Sequence, residues 1–369
     1  MMNRMIVGNL VHRPLRSLIS VVAVALEVTL ILLIVGLSLG MLRDQRTRNA
    51  GIGADVIVLP PGSSFLAGLT GAPMPIKIGD QILAKLPHVE KFAPVVTTIS
   101  SAGTLEIIAG IDLQSYESLS TGFHYLEGGP FQGPYDVLVD DLFAKSKHAK
   151  VGDTIEILNN KFRISGIVER GKGARKFVPI TTLQDLIGAK DKATIFYLKL
   201  DNPANADTVV DEIRHVPGME RHVVNSMASY LAAMSAGNVP MLSTFIDVVV
   251  GVSMVIGFIV IFQAMYTAVM ERTREIGILK AMGASKLYVV NVVLRETVLL
   301  SLAGIVLGVA VSLAARAALA HKFPLLQVVV DGDWIIRATV IAIVGSVAGA
   351  LYPAFKAAQK DPIDALAYE

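Results

Sequence analysis

Four stretches of this sequence run for 18 to 26 residues with almost no charge: Ser17 to Leu42, Val248 to Met270, Thr297 to Ala315 and Ala338 to Phe355. A helix that crosses a bilayer needs about 20 largely apolar residues, so these segments predict four transmembrane helices and argue against an ordinary water-soluble enzyme. The second and third run uncharged between polar flanks, Asp247 and Glu271 for one and Glu296 and Arg316 for the other. The fourth is short and rich in Gly and Ala. Alone it leaves a buried soluble helix open as the lesser alternative; beside three stronger neighbours it reads as a span. Composition agrees, since 53% of the residues are hydrophobic and 17% charged, against roughly 25% charged in soluble proteins.

The first span follows Arg4, Arg13 and Arg16, as a signal peptide would, but 26 apolar residues exceed a signal h-region and no small-x-small cleavage site follows. It reads as a retained anchor. Glu27 is its one charged residue, about four residues inside the apolar boundary if the span ends at Leu42. Two readings stand: a carboxylate that snorkels or pairs near the headgroups, or a buried functional acid. Four spans put both termini on one side. Lys and Arg number three before the first span, five between Glu271 and Glu296, two in the tail and three in 316–337, a weak bias towards cytoplasmic termini. The expected layout is a lead-in helix at 1–16, spans at 17–42, 243–270, 297–315 and 338–355, an extracytoplasmic domain at 43–242, a cytoplasmic segment at 271–296, an outer loop at 316–337 and a tail at 356–369.

The large insert is punctuated by Pro, Gly, Asp and Asn, and short β-branched runs alternate with amphipathic ones, the pattern of an α+β domain. Strands are expected at Ala54–Leu59, Pro94–Ile99, Thr104–Ile111, Asp136–Asp140, Thr154–Leu158, Lys161–Val168 and Thr194–Leu200, with a tight hairpin turn at Asn159-Asn160. Residues 82–96 resemble 209–224: amphipathic helix, His/Val/Pro break, β-branched strand. Two such units packed side by side would form one subdomain, with about 128–190 inserted as a β-rich second. Met41–Ala50 and Ser226–Gly237 lack strong breakers and are expected to extend spans one and two outward as a stalk. The chain has no cysteine, so no disulfide or thiolate metal site is available to it.

Motifs for catalysis are missing. There is no Gly-x-x-x-x-Gly-Lys-Ser/Thr phosphate loop, no Gly-x-Ser-x-Gly elbow and no His spacing suited to a metal. Arg170-Gly-Lys-Gly-Ala-Arg-Lys176 has four cations in seven residues and reads as a solvated loop or a dock for an acidic partner. Asp140-Asp141 fits a polar helix start as well as a catalytic pair.

Between spans two and three lies a basic connection, Glu271-Arg-Thr-Arg-Glu-Ile-Gly-Ile-Leu-Lys-Ala-Met-Gly-Ala-Ser-Lys286, leading to Arg295-Glu296. The second span is expected to run on to Lys280, stop where Gly283 adopts a left-handed cap, and restart with Ser285 as N-cap. That is a helical elbow at the membrane face, with Arg272, Arg274, Lys280, Lys286 and Arg295 near headgroups or a partner. An ordinary basic interfacial hairpin is the plainer alternative.

The run Arg274 to Ser285, REIGILKAMGAS, followed by Glu296 at the head of a span, resembles the hallmark of the MacB/FtsX-like permeases, the type VII ABC transporter subunits. Asn9–Leu18 is similar to their amphipathic lead-in helix. Tyr352–Ala358 and Asp361–Leu366 resemble their ending, although Tyr368 stands where an Arg is common. The resemblance implies a bacterial inner-membrane permease that is not itself an enzyme, a homodimer served by two copies of an ABC ATPase that bind ATP and Mg. It also implies lipid contact, no nucleic-acid partner, and a periplasmic adaptor in some members. With 16 residues before the first span, that ATPase is expected on a separate polypeptide. Residues 283–296 would form the coupling helix, and the expected coupling residues are Arg272, Arg274, Glu275, Gly277, Lys280, Gly283, Ala284, Ser285 and Glu296. The implied function is export or extraction of a hydrophobic or amphiphilic substrate by movements of the outer domain, called mechanotransmission. The alternative is an FtsX-like device that switches a cell-wall hydrolase without transport.

Overall fold

A computed structural model describes residues 14–63, 72–100, 106–235, 237–238 and 240–359. The lead-in segment before Pro14, Thr104 at the head of an expected strand, and the Asp361–Leu366 and Tyr368 positions lie outside the described residues. The chain divides into two compact units, residues 1–40, 241–322 and 326–369 in one and 41–240 with 323–325 in the other.

In the second unit, apolar residues occupy both faces of the strands. β1 (Val56–Leu59) is buried at every position, the pattern of a strand covered on both sides. The remaining strands are β2 (Met74–Pro75), β3 (Val89–Ser100), β4 (Glu106–Ile111), β5 (Tyr125–Gly128), β6 (Asp136–Asp140), β7 (Thr154–Ile157), β8 (Asn160–Val168), β9 (Lys176–Pro179), β10 (Lys192–Ala193), β11 (Ile195–Leu200) and β12 (Val223–Ser226). They form one sheet in the order β12-β1-β11-β3-β4-β9-β6-β8-β5, with β7 on β8, and a separate β2–β10 pair. Pairing is antiparallel except at β4–β9 and β6–β8.

The long helix α1 (Pro14–Ala50) enters this unit with its last turns. Six short helices follow: α2 (Ile76–Gln81), α3 (Leu113–Ser118), α4 (Asp141–Lys147), α5 (Ile180–Leu186), α6 (Ala206–Arg214) and α7 (Met227–Ala233). Val56, Val58, Phe196 and Leu198 form a core with Phe143 of α4, Leu183 of α5 and Val209 and Ile213 of α6. Ile57, Leu59, Ile195 and Tyr197, the alternate positions, pack with Tyr116 of α3 and Met227 of α7. Period-two alternation thus serves two cores at once.

Every expected strand is present. The hairpin turn sits one residue earlier than Asn159-Asn160: Leu158 and Asn159 carry the positive φ values, 49° and 61°, and Ile157 pairs with Asn160. The internal repeat fares differently. In its first copy only a 3-10 turn forms, Leu83–Lys85, and Leu86 is already extended at φ −65°, ψ 147°, because Pro87 disfavours the helical region for the residue before it. β3 and β12, the strands of the two copies, have β1 and β11 between them. Residues 125–179 supply β5 to β9 at one end of the sheet, joined to the rest through β4–β9.

Among the described residues four helices are long and apolar enough to span a membrane: residues 17–50 of α1, and most or all of α8 (Pro240–Glu271), α10 (Lys286–Lys322) and α11 (Gly332–Gln359). All four run beyond the expected boundaries. α9 (Thr273–Ala281) joins α8 to α10. The outward extension of span one is continuous, since α1 reaches Ala50. That of span two is not. α7 stops at Ala233, Met234 leaves helical geometry, and α8 starts afresh at Pro240, a residue suited to opening a helix and not to continuing one.

Small residues set the helix contacts. Gly304 and Gly308 of α10 face Val21, Val24, Ala25 and Val28 of α1, and Gly349 of α11 faces the Phe258 carbonyl and Phe262 amide of α8. Thr29 Oγ1 donates to the Gly308 carbonyl at 3.2 Å. Such close approach is the usual basis of helix association in lipid. A Cβ on Gly308 would lie 2.7 Å from the Ala25 carbonyl oxygen and 2.9 Å from Val28 Cβ. Gly308→Leu is therefore expected to cost roughly 1–3 kcal/mol by overpacking, read as a lower thermal midpoint of the detergent-solubilised protein.

Candidate functional site

The elbow is built from α8, α9 and the first turns of α10. α8 ends at Glu271 and Arg272 takes φ −106°, ψ 16°, so the helix is interrupted there and does not run unbroken to Lys280. The cause is local: Thr273 Oγ1 donates back to the Met270 carbonyl at 2.8 Å and the Val269 carbonyl at 3.3 Å, a bond that bends helices. α9 then ends as expected. Gly283 has φ +95°, its amide donates to the Lys280 carbonyl, and the Ala284 amide donates to the Leu279 carbonyl, each at 3.0 Å. These are the two bonds of a Schellman motif. Ser285 Oγ accepts from the Tyr288 amide at 3.2 Å and starts α10. Residues 286–296 are the opening turns of α10 itself, continuous with the third span.

Three contacts brace this elbow. Arg272 Nη1 donates to Glu296 Oε2 at 2.9 Å, with side chains only 11% and 6% exposed. Lys280 Nζ donates to the Ala358 carbonyl at 2.9 Å, a cation placed where a helix end favours it. Val269, Val289 and Val290 pack on Ala354, Ala357 and Ala358 of α11. A cavity of about 60 Å³, lined by Met265, Val269, Arg272, Tyr288, Val293 and Glu296 among others, lies within the elbow.

The expected coupling residues divide into two sets. Arg272, Glu296, Lys280 and the buried Gly277 hold the elbow together, while Arg274, Glu275, Gly283 and Ser285 are exposed and Ala284 is half-buried. Sequence reasoning passed over the apolar part of the exposed face: Met282 is 73% and Leu287 76% exposed, with Ile278 one turn before Met282. The i, i+4 spacing of Ile278 and Met282, continued by Leu287 past the Gly283 turn, was the available signal.

Glu27 is the other intramembrane candidate. It does not snorkel: the residue is 3% exposed and its carboxyl lies against Gly257 of α8.

In the other unit, the cationic loop is neither a free solvated run nor an open dock. Arg175 donates to Asp44 at 2.7 Å and to Asp140 at 3.3 Å. Lys176 pairs with Glu106 and lies over the Phe143 ring. Lys172 Nζ reaches Ser120 Oγ at 2.8 Å, and Arg170 approaches Asp141 at 3.4 Å. Arg48 donates to Asp44 and to the Gly173 carbonyl, both at 3.0 Å. The last turns of α1 are thereby tied to the loop before β9. Asp140 also caps α4, accepting the Phe143 amide at 2.6 Å, which is the polar helix start. Burial pushes its carboxyl above the usual range, against the pull of that amide and of Arg175.

Comparison with known proteins divides the chain between residues 216 and 248. Residues 17–216 match the MacB-like periplasmic core domain and residues 248–362 the FtsX-like permease C-terminal domain. The macrolide export ATP-binding/permease protein MacB of Shewanella sp. (strain W3-18-1) is 25% identical over 97% of this chain and 59% of its own length. The protein of the same name from Neisseria meningitidis (strain DSM 15465 / Z2491) is 25% identical over 99% and 60%. The chain thus spans about 60% of the length of these curated relatives. The crystal structure of the periplasmic region of MacB from Actinobacillus actinomycetemcomitans superposes with a TM-score of 0.39 at 16% identity, covering 50% of this chain and 94% of that one. A sheet-rich domain between the first and second of the four apolar helices among the described residues, with residues 17–216 and 248–362 matched by these two families, makes the chain a multi-pass membrane protein of the MacB/FtsX-like permease family.

Proposed function

We propose that this chain is the permease subunit of an ABC exporter, that an ABC-type ATPase docks on the elbow from the cytoplasmic side, and that its cycle moves the extracytoplasmic domain to expel or extract a hydrophobic or amphiphilic substrate. Two ATPase copies and two copies of this chain complete the assembly, with or without an adaptor. ATP and Mg are held by the ATPase. The observation that carries the reading is the elbow: exposed Met282 and Leu287 flank the Gly283 turn, and the buried Arg272–Glu296 pair ties the α8–α9 junction to the head of the third span. A partner pressing on such a surface moves helices and not a loose loop. The clasp of Asp44 and Arg48 on Gly173 and Arg175 supports the outward half of the reading, because α1 has no break between residues 14 and 50.

Gly283→Val tests it. A β-branched residue at φ +95° is strained by more than the roughly 1–2 kcal/mol of an ordinary left-handed residue, so the Schellman turn is lost. In nanodiscs with the candidate ATPase, the variant is expected to insert normally and to lose most nucleotide-dependent change in the distance between labelled outer domains. An unchanged response removes the elbow from the coupling path. Movement without substrate extraction in the parent protein favours the signalling alternative.

A further inference from the structure

Glu27 stands apart from everything assigned above. Its carboxyl lies in the bundle against α8, in space that Gly257 leaves by having no side chain: a Cβ at Gly257 would overlap the carboxyl group. Neither oxygen has a hydrogen-bond partner among the described residues. The apolar stretches of α1, α8, α10 and α11 carry no other Asp, Glu, Lys, Arg or His. Their titratable groups are Tyr266 of α8 and Tyr352 of α11, and these gather around Lys356 near the α11 end, where Tyr266 Oη lies 3.3 Å from Lys356 Nζ. Tyr266 is nine residues from Gly257, about 13 Å along the helix. Within these stretches no counter-charge is therefore available to an ionised Glu27, since the charged groups of α8, α10 and α11, from Asp247 to Lys356, lie beyond their ends.

A bare carboxylate buried without a partner is far costlier than the neutral acid. We propose that Glu27 is a proton-binding site: it holds a proton while α1 and α8 are packed at Gly257, and ionises when the two helices part and water reaches it. A proton is the ligand the geometry admits, because the carboxyl rests on the α8 backbone with no side chain between. The sign follows from linkage. The packed arrangement binds one more proton than the parted one, so rising pH favours parting and falling pH favours packing. Separation of the first two spans becomes coupled to proton release, whatever drives it. This coupling does not depend on which partner occupies the elbow.

The chain lacks cysteine, so Leu30→Cys and Ile256→Cys, on exposed faces of α1 and α8, give clean spin-label positions in the full chain in lipid nanodiscs. The expected result is a short interhelical distance at acid pH and a growing longer population as pH rises. The ratio of the two should change by up to about tenfold per pH unit. Glu27→Gln should keep the short distance throughout. A pH response that survives in Glu27→Gln, or a wild-type distance that ignores pH, overturns the proposal. Infrared spectra supply a second reading that needs no labels. A slowly exchanging protonated-carboxyl band is expected at neutral pH, lost in Glu27→Gln or Glu27→Leu, whichever inserts. Absence of that band in the wild-type chain overturns the neutral acid.

Discussion

Glu296→Lys should lower the stability of the membrane unit by roughly 3–5 kcal/mol, the cost of breaking a buried ion pair from one side. Arg272 would then face a like charge across the 2.9 Å that now holds a hydrogen bond. The first turns of α10 should loosen from α8, and the small apolar cavity that both residues line should admit water. Insertion is governed by the apolar segments and should persist. The readouts are the thermal midpoint in detergent and, under the proposed function, the stimulation of the partner ATPase; both should fall. The double variant Arg272→Glu/Glu296→Arg should recover much of the loss, because the coupling belongs to the pair. Full recovery of ATPase stimulation by a variant whose midpoint stays low would separate coupling from stability and count against the bracing role.

Arg175→Ala should have an effect of similar size in the sheet-bearing unit. Arg175 bridges Asp44 and Asp140, and the Asp140 side chain is only 1% exposed. Removing the guanidinium takes the direct ion-pair partner from Asp140, which keeps its cap to α4, and one of its cationic partners from Asp44, which keeps Arg48. About 3–5 kcal/mol is the expected loss, and cysteine-free labelling should report greater freedom between residue 44 and β9. Acid should partly rescue the variant. Burial already raises the Asp140 carboxyl in the intact protein. A raised acid holds its proton in the folded state at pH values where the unfolded chain has released it, so stability falls as pH rises through that window. Without Arg175 to oppose burial the window extends further upward, and a midpoint that rises on mild acidification in Arg175→Ala, more than in the wild type, is the expected signature.

What could be read from the sequence follows the range of the interactions that decide each feature. Gly283 and Ser285 were legible because their roles depend on bonds spanning five residues or fewer. The spans were legible because membrane insertion responds to the length of a charge-free run. The break at Arg272 was hidden, since it turns on the Thr273 hydroxyl bonding backwards. The cationic loop was misread for a different reason: Arg175 finds Asp44 across 131 positions and Lys176 finds Glu106 across 70. A cation with a distant partner looks the same in sequence as one facing water. The same ambiguity applied to Glu27, whose burial depends on a glycine 230 positions away. β9 escaped notice because its four residues open with that buried lysine and close with a proline.

The unbroken course of α1 sets a scale. Thirty-seven helical residues measure about 55 Å, while the hydrocarbon layer is about 30 Å thick. Residues 43–50, about 12 Å of helix, lie past the apolar run, and there the Asp44, Arg48 and Arg175 contacts hold it. A rod of this length without a joint turns small angles into usable distances: a tilt of about 5° carries its far end through about 5 Å. Under the proposed function, such a tilt would deliver a displacement the size of an amino-acid side chain without a large rearrangement among the spans.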